Sequence, residues 1–193
     1  MSDLIDTTEM YLKTVYELEE DGVTPLRARI VERLDHSGPT VSQTVARMER
    51  DGLIHVAPDR SLELTDAGRH RATEVVRKHR LAERLLLDVI RLDRNLVHQE
   101  ACRWEHVMSD DVEARLLAVL DDPGVDPFGN PIPEAGEQRP APAADEMSVE
   151  EARRRGVQRG VIKRLGEPVQ AREEVFTEIN KAGIAPGVSV NIS

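Results

Sequence analysis

The apolar residues in the first half of the chain recur at helical spacing, in short segments separated by small polar breaks. Residues 6–21 (DTTEMYLKTVYELEED) open with an Asp/Thr cap. They then set Met10, Leu12, Val15, Tyr16 and Leu18 along a helix that Gly22 stops. Residues 24–34 (TPLRARIVERL) begin on Thr-Pro, a favourable first turn, and carry Leu26, Ile30, Val31 and Leu34 on one side. After DHSG, residues 39–52 resume with proline in the first turn, put Val41, Val45 and Met48 inside, and end at Gly52. Two short helices across a Ser-Gly turn predict a helix-turn-helix. The period then changes to two. Leu53–Val56 and Ser61–Leu64 alternate around APDR, which predicts a small hairpin and hence the wing of a winged helix. Thr65 caps a long helix over about 66–90, and further helices follow over about 93–108 and 109–121.

From residue 121 to residue 146 the composition shifts to Pro, Gly, Ala and acids, which predicts an extended, mobile linker. Beyond it, two β-rich runs flank a short helix in REEVFTEINKAG, the pattern of a small β-containing second domain. There is no internal repeat.

Charge and composition narrow the classes. The 193 residues include 36 Asp and Glu against 26 Lys and Arg, a formal net charge of −10. That balance argues against a general polyanion binder but leaves room for a local basic face. A single cysteine excludes an internal disulfide and gives no mark of secretion. The N-terminus is acidic and amphipathic rather than basic-then-apolar, and no apolar stretch approaches the ~20 residues that cross a bilayer. The expectation is a cytoplasmic protein.

A local basic face does surround the helix-turn-helix. The second helix would enter a major groove with Ser37, Pro39, Thr40, Ser42 and Gln43 at its leading end, and of these only Gln43 can read a base edge bidentately. Arg27, Arg29, Arg47, Arg50 and Arg60 surround it and can neutralise phosphates, Arg60 from the wing tip. The bland alternative is a helical hairpin with a solvated face; the adjoining hairpin, between DGLI and LTDAG, favours the winged helix. With few base contacts per subunit, recognition should lean on dimerisation and DNA shape.

The chain's one thiol lies in QEACRWEHVMS, residues 99–109. At i, i+3 and i+4, Cys102, Glu105 and His106 share a helix face, with His98 one turn earlier; His79 and Glu83 form a second i, i+4 pair. Thiolate, imidazole and carboxylate together suit a divalent transition metal rather than calcium or magnesium. Two bland readings stand beside this. Structural zinc usually takes several cysteines, and a lone buried Cys near surface His and Glu is common. A Cys–His nucleophile would need an orienting group and an oxyanion hole, which a mid-helix ACRWEHVM does not supply, so no enzyme is expected. The two helical pairs favour metal, and spacing goes no further. Trp104 falls off the shared face and is expected to serve packing.

Long stretches of the sequence resemble the diphtheria toxin repressor and iron-dependent regulator family of metal-activated winged-helix repressors: residues 6–53, RKHRLAERLL, HQEACRWEHVMSDDVEARL and PFGNPIP. The resemblance is nearly gap-free over about residues 1–133 and looser from about 157. It implies a mainly α fold: a winged helix-turn-helix DNA-binding domain (1–73), a helical dimerisation and metal-binding domain (74–140), a linker (141–156) and a partial SH3-like β domain (157–193). The family's SH3-like domain continues through further strands where this sequence stops at Ser193, which implies an apparently truncated barrel.

The family further implies a homodimer, with two dimers on one operator as a variant. It binds double-stranded DNA at a palindromic operator when iron(II) is abundant and represses iron-uptake genes. Two iron(II) sites per subunit carry over by position. The primary site would use Met10, Cys102, Glu105 and His106; the ancillary site would use His79, Glu83, His98, Glu167 and Gln170. Cobalt(II), nickel(II), zinc(II), manganese(II) and cadmium(II) are the expected surrogates. DNA contacts would fall on Thr7, Arg27, Ala28, Ser37, Pro39, Thr40, Ser42, Gln43, Arg47, Arg50 and Arg60. By pattern alone Met10 reads as a core methionine; the resemblance makes it a ligand. A thioether with a thiolate favours borderline-soft ions, so iron selectivity must come from geometry and availability. The manganese-responsive branch differs at the Met and Cys positions, which points this chain to iron. The alternatives are a winged-helix regulator that answers to manganese, or to redox chemistry at Cys102.

Overall fold

The computed structural model describes residues 6–137 and 146–192. Helix α1 (Thr7–Glu20) starts where Asp6 accepts hydrogen bonds from the Thr8 and Glu9 amides. Helices α2 (Arg27–Leu34) and α3 (Gly38–Arg50) follow, the second capped by Ser37, which accepts from Thr40 N. Strands β1 (Ile54–Val56) and β2 (Leu62–Leu64) pair antiparallel, with His55 opposite Glu63. Ile54 and Leu62 point into a core with Tyr11, Leu12, Val15, Tyr16, Ile30, Val41, Val45 and Met48. The helix-turn-helix and its wing therefore form as their apolar periodicity predicts.

Helix α4 (Asp66–Arg84) is capped by Thr65 and joins this unit to the next. It can leave the wing at a steep approach only because of Gly68, where a Cβ would stand 1.8 Å from the Leu53 carbonyl oxygen. The predicted helix over 66–90 holds α-geometry to Arg84 and closes in a π turn over Leu85–Val89. Helix α5 (Arg94–Trp104) stops short of the predicted 108, because the Val107 and Met108 amides both turn back to the Trp104 carbonyl. Helix α6 (Asp110–Val119) completes the helical layer. A second core gathers Ala82, Leu86, Val97, Ala101, Phe128, Leu165 and Phe176, with Trp104 packed against it as expected.

The Pro/Gly-rich stretch from residue 121 is not an extended linker over its described part. Asp126 accepts from the Phe128 and Asn130 amides, Leu165 N donates to the Phe128 carbonyl, and the Phe128 ring is fully buried. The Asp, Pro, Gly and Asn of DPFGN are turn formers around one aromatic anchor, a pattern that composition alone reads as linker. Gly129, at φ +88°, lies where a Cβ would meet the Lys163 carbonyl at 2.4 Å. Residues 138–145 of the expected linker lie outside the described residues. A helix not expected there, α7 (Val149–Arg154), is capped by Ser148, which accepts from Glu151 N. The Ser-x-x-Glu spacing was its signal.

In the C-terminal segment β3 (Arg159–Val161) pairs antiparallel with β4 (Ser189–Asn191). Between them lie α8 (Glu167–Gln170) and α9 (Glu173–Lys181). Among the described residues, this segment is one strand pair with two short helices. It is tied back to α1: Arg164 donates to the Glu20 carbonyl at 2.9 Å and approaches Asp21 at 3.3 Å.

Candidate metal centre and DNA-contacting face

Four elements aim polar side chains into one buried volume. From α4 come His79 and Glu83, both with no exposed side-chain surface; from α5 and its end come His98, Cys102, Glu105 and His106; α8 supplies Glu167 and Gln170; α1 supplies Lys13. The contacts form a chain. His106 Nδ1 lies 2.8 Å from Glu9 Oε2 and its Nε2 lies 3.2 Å from Glu105 Oε1. Glu105 Oε2 is 2.6 Å from His79 Nδ1, and His79 Nε2 is 2.9 Å from Glu83 Oε1. Glu83 Oε1 is 3.4 Å from His98 Nδ1, and His98 Nε2 is 3.6 Å from the Cys102 sulfur.

The residues expected in two sites thus share one continuous network. His79, His98 and Cys102 offer ligand atoms within 4.8 Å of one another, which joins Cys102 to the two imidazoles expected in the other site. Glu105 and His106 sit one step along the chain, beside Glu9. Met10 lies on the α1 face that also carries Lys13, and it is half-buried.

Electrostatics prepare the donors. Burial would push the Cys102 thiol up, but the Lys13 ammonium and the imidazoles of His79 and His98 bring it down to about 6. Burial works against charge on His98, yet hydrogen bonding to Cys102 and Glu83 raises it to about 9. Burial and Lys13 likewise oppose a charged His79, and the carboxylates of Glu167, Glu83 and Glu105 outweigh them to hold it protonated. Burial would raise Glu83, but His79 and His98 bring it down to about 2.

The donor set fits a divalent transition ion. It offers a thiolate, imidazoles and carboxylates, and two of its oxygens, Glu83 Oε2 and Gln170 Oε1, are buried without a hydrogen-bond partner. Those two atoms have lone pairs to give and nothing among the described residues to give them to.

Sequence reasoning missed the charged frame around this volume. Arg80 is fully buried: it donates to both carboxylate oxygens of Glu20, at 3.0 and 2.6 Å, and to the Pro131 carbonyl, and reaches Glu167 at 3.4 Å. It therefore ties α1, the DPFGN loop and α8 together. Asp126 lies 4.0 Å from Arg80 Nε; burial and the nearby Glu83 push its carboxyl up to about 7. The available signal was a charge at Lys13 and Arg80 on faces that periodicity makes internal.

The face expected to meet DNA is open. Ser37, Pro39, Thr40, Ser42, Gln43, Arg47 and Arg50 are exposed along α3, as are Thr7 and Ala28. Arg60 is exposed at the wing turn in a left-handed conformation (φ 72°), closing on the Ala57 carbonyl at 2.8 Å. Arg27 is half-buried, and its Nε is buried without a hydrogen-bond partner among the described residues. Arg29 is engaged by Glu32 at 2.8 Å.

Comparison with known proteins joins these two features. Residues 3–62 match the family model described as iron dependent repressor, N-terminal DNA binding domain, and residues 65–134 match iron dependent repressor, metal binding and dimerisation domain. The chain belongs to the iron-dependent repressor family. It is 57% identical over 196 residues to the diphtheria toxin repressor of Corynebacterium glutamicum, covering 100% of this chain and 86% of that protein. It is also 57% identical over 199 residues to the iron-dependent repressor IdeR of Mycobacterium tuberculosis, again covering 100% and 86%. Among solved structures, a manganese-dependent transcriptional repressor in complex with manganese superposes with a TM-score of 0.77 at 28% identity, covering 95% of this chain and 81% of that one. Among the described residues, no helix of this iron-dependent repressor is long and apolar enough to cross a membrane.

Proposed function

We propose that this chain is an iron(II)-dependent transcriptional repressor that binds a palindromic operator as a homodimer when metal-loaded and represses iron-uptake genes. The observation that carries the reading is a buried thiolate–imidazole–carboxylate centre bonded, through Glu9–His106 and Lys13–Glu105, to the first helix of the DNA-binding unit. Iron rather than manganese rests on Met10 and Cys102, the positions at which the manganese-responsive branch differs, together with the names of the relatives.

Two ion positions are assigned. Met10, Cys102, Glu105 and His106 hold the first; His79, Glu83, His98, Glu167 and Gln170 hold the second. Cys102 stands at their boundary, which accounts for its contact with His98 at 3.6 Å in this arrangement. A bound divalent ion supplies the charge that lets thiolate, carboxylates and neutral imidazoles stand together without solvent. Met10 attaches α1 to that centre and α5 supplies the other ligands, so filling the site fixes α1 against α5 and biases the DNA-competent state. Thr7, Arg27, Ala28, Ser37, Pro39, Thr40, Ser42, Gln43, Arg47, Arg50 and Arg60 then engage the duplex, the arginines on phosphates and Gln43 on a base edge.

Dimerisation is placed on the apolar outer face of the helical layer. Val89, Ile90, Val107, Val112 and Val119 are all at least half exposed there, beside a groove of about 220 Å³ lined by Leu85, Trp104, Met108 and Leu116.

Fluorescence anisotropy of a palindromic duplex, with iron(II) or cobalt(II) and then with excess chelator, tests the reading. Metal should raise affinity and chelator should reverse it; equal affinity in both conditions would refute the metal switch.

A further inference from the structure

The centre already holds a cation of its own. Lys13 projects from α1 with its side chain only 7% exposed, and its Nζ lies 2.7 Å from Glu105 Oε2 and 3.0 Å from Glu167 Oε2. A third carboxylate, Glu17, stands at 3.9 Å. Two arginines share these carboxylates: Arg33 lies on Glu17 and Asp21, and Arg80 on Glu20 and the other oxygen of Glu167, but neither reaches Glu105. Lys13 bridges the end of α5 to α8 at hydrogen-bond distance on both sides; His79, 2.6 Å from Glu105 Oε2, stands 3.8 Å from Glu167 Oε2.

Glu105 and Glu167 are assigned to different ions in the proposed function, one to each position, and Lys13 ties up an oxygen of both. Glu105 Oε2 meets the Lys13 ammonium at 2.7 Å and His79 Nδ1 at 2.6 Å, so both of its lone-pair directions are taken by nitrogen and the ammonium must give one up before a metal can use it. Beside this occupied pair, Glu83 Oε2 and Gln170 Oε1 have no hydrogen-bond partner among the described residues. The centre is therefore half closed by an internal ion pair and half open.

We propose that Lys13 is a tethered competitor for the divalent ion: it holds Glu105 and Glu167 in the metal-free state and must leave them for both positions to fill. The proposal rests on the assignment of Glu105 and Glu167 as ligands. Lys13 is three residues from Met10 on the same face of α1, so the departure of the ammonium and the arrival of the thioether occur on one turn of one helix. That exchange is how occupancy is felt in the DNA-binding unit. An ammonium on a four-carbon stem is suited to the task, since it can swing out as a point charge where a guanidinium fork would be held more firmly.

The test compares cobalt(II) affinity of the wild-type chain with Lys13→Leu, which removes the ammonium without adding a thioether ligand, read by calorimetry and by the absorption of thiolate-bound cobalt. Lys13→Leu should bind roughly tenfold more tightly, because no ammonium has to be displaced. Its metal-free melting temperature should fall below wild type and its cobalt-loaded melting temperature should not. Should Lys13→Leu be unfolded without metal, the rise in melting temperature on adding cobalt is read instead. A larger rise than in wild type supports the proposal. Equal or weaker affinity, or a rise no larger than in wild type, overturns it while leaving the ligand assignment standing. Wild type that binds no cobalt through the thiolate would overturn both.

Discussion

His106 Nδ1 lies 2.8 Å from Glu9 Oε2, so the turn that ends α5 is bonded directly to the first turn of α1. One imidazole spans the metal-binding layer and the root of the DNA-binding unit, with its other nitrogen 3.2 Å from Glu105. Under the proposed ligand assignment, a change at Glu105 and His106 reaches α1 through this contact. Cys102→Ala or His106→Ala is expected to abolish metal-dependent DNA binding. His79→Ala should weaken it by roughly 10- to 100-fold, the usual scale for loss of a supporting group. Gel shifts at fixed cobalt(II) check the order; greater damage from His79→Ala would reverse the ranking of the two positions.

The thiol offers a pH-resolved readout. With Lys13 and two imidazoles bringing Cys102 down to about 6, the metal-free protein carries a thiolate at neutral pH. Alkylation of metal-free protein should be half-maximal near pH 6 and fall about tenfold per pH unit below that, and cobalt(II) should protect the residue. A midpoint in the ordinary range of about 8–9 would show that the surrounding cations do not act on it.

Metal uptake should release protons. His98, raised to about 9, is charged at neutral pH and must become neutral to ligate. Protonation thus competes with metal below about 9, so apparent affinity rises roughly tenfold per pH unit toward that value and then levels. His79, also held protonated, steepens the rise. Calorimetry in buffers of different ionisation enthalpy at pH 7.5 should count at least one proton released per ion bound at the His98 position. Affinity that is flat between pH 6.5 and 9 would contradict the role of His98.

The DPFGN loop makes a stability prediction. Phe128 is fully buried, packs edge-on to Phe176 with ring centroids 5.4 Å apart, and lies 5.0 Å beneath the Arg94 guanidinium. Phe128→Ala should cost about 3–5 kcal/mol, read by urea unfolding. A loss below about 1 kcal/mol would mean that the loop is the loose tether its composition suggests.

What was legible in the sequence follows from range. Apolar periodicity and local stop and start signals placed α1, α3 and the wing within a residue or two, because Asp6, Pro39, Thr65 and Gly52 act on their own neighbours. Helix α2 instead starts at Arg27, three residues after the expected Thr-Pro start and without a side-chain cap. Spacing also showed that His79 pairs with Glu83, and Cys102 with His98, since i, i+4 partners meet wherever the helix lies. It could not show that Cys102 faces His79, that Lys13 reaches Glu167, or that Arg80 unites α1 with the loop at 131. Those contacts depend on how helices stack. The Pro/Gly stretch misled because turn formers and linker residues are the same residue types, and only the burial of Phe128 tells them apart.

The central claim is that metal occupancy and DNA binding are one event. Cobalt(II) titrated into a single sample, with thiolate-to-cobalt absorption and the anisotropy of a labelled palindromic duplex recorded together, tests it most directly. The account predicts that the anisotropy rises as the Cys102 absorption band grows and that both reverse on adding chelator. Saturation of the band while anisotropy stays flat, or full anisotropy before any band appears, would contradict it.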